Sequence, residues 1–182
     1  MKFEKGKYYH IYNRSNNNEI VFSSHESYLF FLKKFKKQVH PHCIVIAYCL
    51  MPTHFHFLIR SESEESKILS DQIAILLRSY THAINLNTGR HGNLFQQHTK
   101  AKLIEDESYL LTLITYIHQN PIRAKLVKNI ADWEYSSYLD LSGKRNGTLA
   151  DKQFMHQYFR TNAEVERYSE ELLLSVRKEC WV

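Results

Sequence analysis

Residues 43–61, CIVIAYCLMPTHFHFLIRS, constrain the fold more than any other stretch of this chain. CIVIAYCLMP (43–52) reads as a strongly apolar strand. Met51-Pro52-Thr53 is short enough to be a turn or a kink, and THFHFLIRS (53–61) runs on as a second strand, so the two are expected to form a hairpin. KYYHIYNR (7–14), rich in aromatic and β-branched residues, reads as an earlier strand that exits through NRSNNN. Between them, Ser24 can cap a helix with apolar residues at 28, 29, 31, 32, 35 and 39 and with Lys33, Lys34, Lys36 and Lys37 on its other side; it should end before Pro41.

The remaining segments extend the pattern. Residues 67–87 have apolar positions at helical spacing and stop at Gly89; NLFQQHTKAKLI (93–104) resembles a strand; EDESYLLTLITYIHQNP is a helix that should close at Pro121. The order strand, helix, strand, strand, helix, strand, helix predicts an α+β fold, an antiparallel sheet with helices packed on it, of the ferredoxin-like kind. Residues 1–128 are expected to form one domain. Residues 129–182 are expected to be a C-terminal tail packing on it, with short helices around 151–159 and 162–178.

A chain of 182 residues, 43% hydrophobic, can build one proper core. Twenty-four Lys and Arg against nineteen Asp and Glu leave a formal charge of +5, which favours a polyanionic partner without naming it. No apolar run approaches the roughly 18 residues needed to cross a bilayer, so a soluble, cytoplasmic protein with no membrane partner is expected. Cys43, Cys49 and Cys180 form no CxxC pair, which argues against a disulfide framework or a zinc knuckle, and HPHC (40–43) reads as plain loop.

Strand alternation puts His54 and His56 on one side while Phe55 and Phe57 face the core. Two imidazoles about 7 Å apart along a strand can converge on one ion, or they can simply decorate a polar face. On the helix of residues 105–121, positions 110, 111, 113, 114 and 117 form the core stripe. Tyr109, Thr112, Tyr116, Gln119 and Asn120 occupy a neighbouring, more polar one. Tyr116 and Asn120 lie one turn apart, so an amide oxygen could join the imidazoles around a metal with a phenol beside it; otherwise the tyrosine packs its ring and the asparagine ends the helix.

The segments YYHIYNR, CLMPTHFHFLI, NLFQQHTKAKLI and YIHQNPIRAKLV followed by WEYSSY occur in the order seen in single-tyrosine HUH transposases, named for a His, hydrophobic, His motif. The chain resembles that family over most of residues 7–138, and within it the REP-associated tyrosine transposases. The resemblance implies that His54 and His56 are paired metal ligands, that Tyr116 is a nucleophile forming a 5′-phosphotyrosine link, and that Asn120, or Gln119 beside it, is the third protein ligand. It implies a divalent ion, Mg or Mn, and a single-stranded or hairpin DNA substrate. For that substrate the chain offers Tyr8, Tyr9, Tyr12 and Phe95 for stacking, and Arg14, Arg78, Lys100, Lys102 and Arg123 for phosphates or for favouring the phenolate. The resemblance implies a monomer or a homodimer. The alternatives are a catalytically inactive hairpin-DNA-binding protein and a metal-dependent hydrolase that uses the histidines alone.

Overall fold

The computed structural model describes residues 1–171. Its sheet is built from β1 (Tyr8–Arg14), β2 (Cys43–Met51), β3 (His54–Ser61) and β4 (Lys100–Ile104), in the order β2-β3-β1-β4, with every pair antiparallel. Met51 pairs with His54, so β2 and β3 form the expected hairpin around the two-residue loop Pro52-Thr53. This is the ferredoxin-like arrangement that the element order predicts.

Helices cover both faces. Phe55 and Phe57 of β3 project towards α1 (His25–Gln38), where their rings lie 5.4 Å from Phe31 and 4.0 Å from Phe35. Ser24 starts α1 as expected: it accepts from the Ser27 amide, and the Ser27 hydroxyl closes the reciprocal bond. Behind α1, Tyr80 of α2 (Ile68–Thr88) packs 5.1 Å from Phe31 and donates its hydroxyl to the Val21 carbonyl. Gly89 ends α2 in the left-handed region, φ 67°, where a side chain would be strained. The opposite face, which carries both histidines, is covered by α3 (Glu107–Arg123), started by the Asp106 carboxylate.

Two sequence expectations need correction. The strand expected over 93–104 is confined to Lys100–Ile104. Residues 93–99 act instead as a brace: Phe95 makes one bridge to Ser15, and the Asn16 amide donates to the Asn93 and Phe95 carbonyls. Helix α3 does not stop at Pro121 but runs through it to Arg123. Pro121 has no N–H for the Ile117 carbonyl, and Asn120 Nδ2 supplies the missing donor, 3.0 Å from the Tyr116 carbonyl and 3.4 Å from that of Ile117.

After α3 the chain wraps the free edge of β2. Trp133 Nε1 donates to the Leu50 carbonyl, Leu50 N to that of Tyr135, Ser137 N to that of Tyr48, and Asp151 N to that of Val45. A strand edge that would otherwise pair with another chain is thereby closed. The wrap is fastened by Asp140, whose side chain is 1% exposed: Arg145 grips it with Nε and Nη2 at 2.7 and 2.8 Å, and Gly147 N donates at 2.9 Å. A Cβ on Gly147 would sit 2.3 Å from Asp140 Oδ1, so this turn has room only for glycine. Among the described residues three short α-helices follow α3: α4 (Tyr138–Leu141), α5 (Lys152–His156) and α6 (Asn162–Glu170). The helix expected over 162–178 is thus seen from Asn162 to Glu170, with Glu171 as its C-cap, and residues 172–178, like Cys180, lie outside the described residues.

Candidate active site

Sheet register sets the floor of the site. Residues directly opposite in an antiparallel ladder share a face. Arg14 is opposite His54, Tyr12 is opposite both His56 and Lys100, and His10 is opposite Lys102, so one face gathers three histidines and three cations. The His54 and His56 rings lie 5.2 Å apart at right angles. Tyr116 descends on them from α3, its ring 5.9 Å from that of His56. Seven residues further on, the Arg123 guanidinium lies 5.9 Å from the Tyr116 ring and donates from Nη2 to Gln119 Oε1. The Lys102 ammonium lies 5.6 Å from the Tyr109 ring.

Not every candidate joins this cluster. Arg78 belongs to α2 on the far side of the sheet, where it lines an open groove of about 460 Å³ with His82, Asn85 and Gln97. Tyr9 and Phe95 are core residues: Tyr9 packs edge-on to Phe3, and Phe95 lies against Phe31, Phe55 and Tyr80. Neither ring offers a face to a base. Tyr8 packs against Phe154 of α5. Tyr12 alone of the four lies at the histidines, 4.8 Å from His10 and 6.1 Å from His56, and is half-buried.

The stripe expected to be more polar is closed in as well, with Tyr116 4% and Asn120 7% exposed. Tyr116 is closed in against His56 of the sheet, and the neighbouring positions of α3 are covered by α6 and the residue beyond it. Gln119 Nε2 donates to the Ser169 and Glu171 carbonyls, while His118 lies 2.9 Å from Ser137 Oγ and 3.5 Å from Ser169 Oγ. Gln119 therefore has both ends of its amide engaged, whereas Asn120 uses Nδ2 within its own helix.

His10, a residue that sequence reasoning passed over, contacts His56 directly. Its Nε2 lies 2.9 Å from His56 Nδ1, with the rings 18° from coplanar. The other nitrogens, His10 Nδ1 and His56 Nε2, are buried without a hydrogen-bond partner. His54 Nδ1 lies 3.1 Å from Thr53 Oγ1. Burial lowers all three basicities: His10 to about 3, helped by Lys102; His54 to about 4, helped by Arg14; His56 well below its ordinary value. All are neutral near pH 7, the form in which imidazole presents a lone pair to a metal. Among the described residues no three His, Cys, Asp or Glu side chains gather as a cation site.

His118 shows what such burial does to stability. Desolvation lowers it to about 3, so between pH 6.5 and 3 the unfolded chain binds a proton that the folded chain refuses. Its contribution is complete above pH 6.5 and is lost as the pH falls, about 2 kcal/mol by pH 5 for one such imidazole. The urea midpoint should therefore drop steeply between pH 7.5 and pH 5. An equal midpoint at both values would mean that these rings are not held neutral.

No family model matches the chain. A curated Haemophilus influenzae protein, provisionally named a REP-associated tyrosine transposase, is 27% identical over 103 residues, covering 51% of this chain and 57% of that protein. The match thus spans little more than half of the relative. Among solved structures, that of a REP-associated tyrosine transposase bound to a REP hairpin superposes with a TM-score of 0.63 over 83% of this chain and 91% of the other, at 18% identity. The fold is shared with that protein, and the resemblance read from the motifs falls on the same group. Among the described residues no helix is long and apolar enough to cross a membrane.

Proposed function

We propose that this chain nicks and rejoins single-stranded DNA folded into a hairpin, with Tyr116 as nucleophile and a divalent ion held by His54, His56 and Asn120. The observation that supports this reading most is the approach of the Tyr116 ring to His56, whose buried Nε2 has no protein partner. Two neutral imidazoles suit Mn²⁺ better than Mg²⁺, which prefers oxygen. A bound ion would neutralise charge developing on the phosphate and the leaving oxygen.

The residues carry the rest. Tyr116 Oη attacks phosphorus, the bond from phosphorus to the 3′ oxygen breaks, and the phosphate stays on the tyrosine as a 5′-phosphotyrosine. The phenol proton leaves to solvent and the freed 3′ oxygen takes one up. A 3′-hydroxyl attacking that link reverses or redirects the strand, so joining needs no ATP. The Arg123 cation beside the ring would favour negative charge there, and Arg14, Lys100 and Lys102, which share the histidine face, would hold phosphates.

The test is a hairpin oligonucleotide with single-stranded flanks, incubated with Mn²⁺ and run on a denaturing gel. A protein–DNA species that survives denaturation and vanishes with chelator is expected. A second reading is favoured by one observation: Tyr116 is 4% and His56 0% exposed. A protein that grips a hairpin without cutting it would show binding but no covalent species at any Mn²⁺ concentration. Cutting requires the seam between α3 and the sheet to open around a phosphate.

Either reading uses the lysines. Replacing Lys100 and Lys102 by alanine should weaken hairpin binding similarly for all sequences and flatten the log–log salt dependence by about 0.7 per lysine. Fluorescence anisotropy across a salt series measures this, and an unchanged slope would remove both side chains from the DNA path.

A further inference from the structure

We infer that His10 is a positioning residue: it ties down Nδ1 of His56 and so holds that ring with Nε2 open to the ion. The inference rests on the reading of His54 and His56 as metal ligands and adds to it a residue outside the His, hydrophobic, His motif.

The argument starts from the ladder. His10 lies opposite Leu58 and Tyr12 opposite His56, so His10 is the diagonal neighbour of His56 on the same face. Both rings are enclosed, and the 2.9 Å contact between His10 Nε2 and His56 Nδ1 is the polar contact that each ring makes. A single proton sits in that contact. If His10 donates it, neutral His56 must carry its own proton on Nε2, which blocks the lone pair. If His56 donates from Nδ1, the lone pair on Nε2 is open, and His10 carries its proton on Nδ1. Only the second arrangement is compatible with an ion at Nε2, and binding an ion selects it.

Metal-bound histidines ordinarily hand their second N–H to a carboxylate, a carbonyl or water. An imidazole as acceptor fixes the ring equally well yet brings no negative charge beside a site that must receive a phosphate. Its near-coplanar setting against His56 also restricts rotation about the ring axis. Losing it would leave His56 free to turn Nε2 away from His54.

Mn²⁺ binding, measured by the loss of free-ion electron paramagnetic resonance signal, tests this without any turnover. His10→Leu should weaken Mn²⁺ binding by about 10–100-fold, the usual cost of losing such a partner. His10→Gln, which keeps an acceptor within reach, should recover most of that loss. His10→Leu that is folded by circular dichroism and binds Mn²⁺ as the unsubstituted chain does overturns the inference. If the leucine variant does not fold, the unsubstituted protein decides: with Mg²⁺ present, a ¹⁵N–¹⁵N coupling across the His10–His56 bond is expected, and its absence overturns the inference. His56→Ala separates the two levels of the argument. Mn²⁺ binding abolished by His56→Ala but untouched by His10→Leu defeats only the role of His10. Binding unaffected by His56→Ala defeats the metal site itself.

Discussion

Tyr116→Phe is expected to abolish the covalent protein–DNA species while hairpin binding persists. The substitution removes one oxygen and keeps the ring that packs against His56 and Arg123. Loss of a nucleophile typically lowers rates by on the order of 10⁴-fold or more, so the band should fall below detection rather than fade. Circular dichroism should show the variant folded, and anisotropy should show a comparable dissociation constant for the hairpin. A covalent species of undiminished intensity in this variant would place the nucleophile elsewhere.

Asp140→Ala should produce the largest loss of stability among single polar substitutions. It leaves Arg145 without its carboxylate, and it bares the Gly147 amide at the turn that clamps the β2 edge. Breaking a fully buried pair by removing one partner costs about 3–5 kcal/mol, and the loss here should fall at the lower end because the Arg145 side chain is 35% exposed. At this chain length that corresponds to a fall in melting temperature of about 10 °C. Lys5→Ala, which removes an exposed pair with Glu64, is the control and should leave the midpoint almost unmoved. A shift from Asp140→Ala no larger than the control's would show that the wrap contributes little to the fold.

How much of this was legible in the sequence differs element by element, for physical reasons. The β2–β3 hairpin and α1 were readable because their signals are local: alternation, a two-residue break at Pro52-Thr53, and a serine cap. The end of α3 was not, because Pro121 ordinarily stops a helix, and only a side-chain bond made by its own neighbour lets the turn continue. Strand 93–104 was overread because Asn16, far away in sequence, captures the carbonyls of its first half.

For the site, alternation gave the shared direction of His54 and His56. It could not give their burial, since that depends on α3 lying across the same face. His10 was visible in YYHIYNR, and alternation put it beside Tyr12 in direction. What made it a partner of His56 is the placement of β1 next to β3, a long-range pairing that no local pattern carries. That Arg78 lies away from the histidines was hidden for the mirror-image reason: a helix residue has no assigned layer until the helices are distributed over the sheet.

The mended turn at Asn120-Pro121 has one more consequence. With its nitrogen committed to two carbonyls of the preceding turn, one of them the Ile117 carbonyl that the proline cannot serve, the asparagine amide behaves as a latch with a single closed position. Flipping it would set oxygen against oxygen, so the only atom it can turn outward is a carbonyl oxygen. A ring with no hydrogen to give, one residue along the backbone, thereby dictates the polarity of the group shown to any cation.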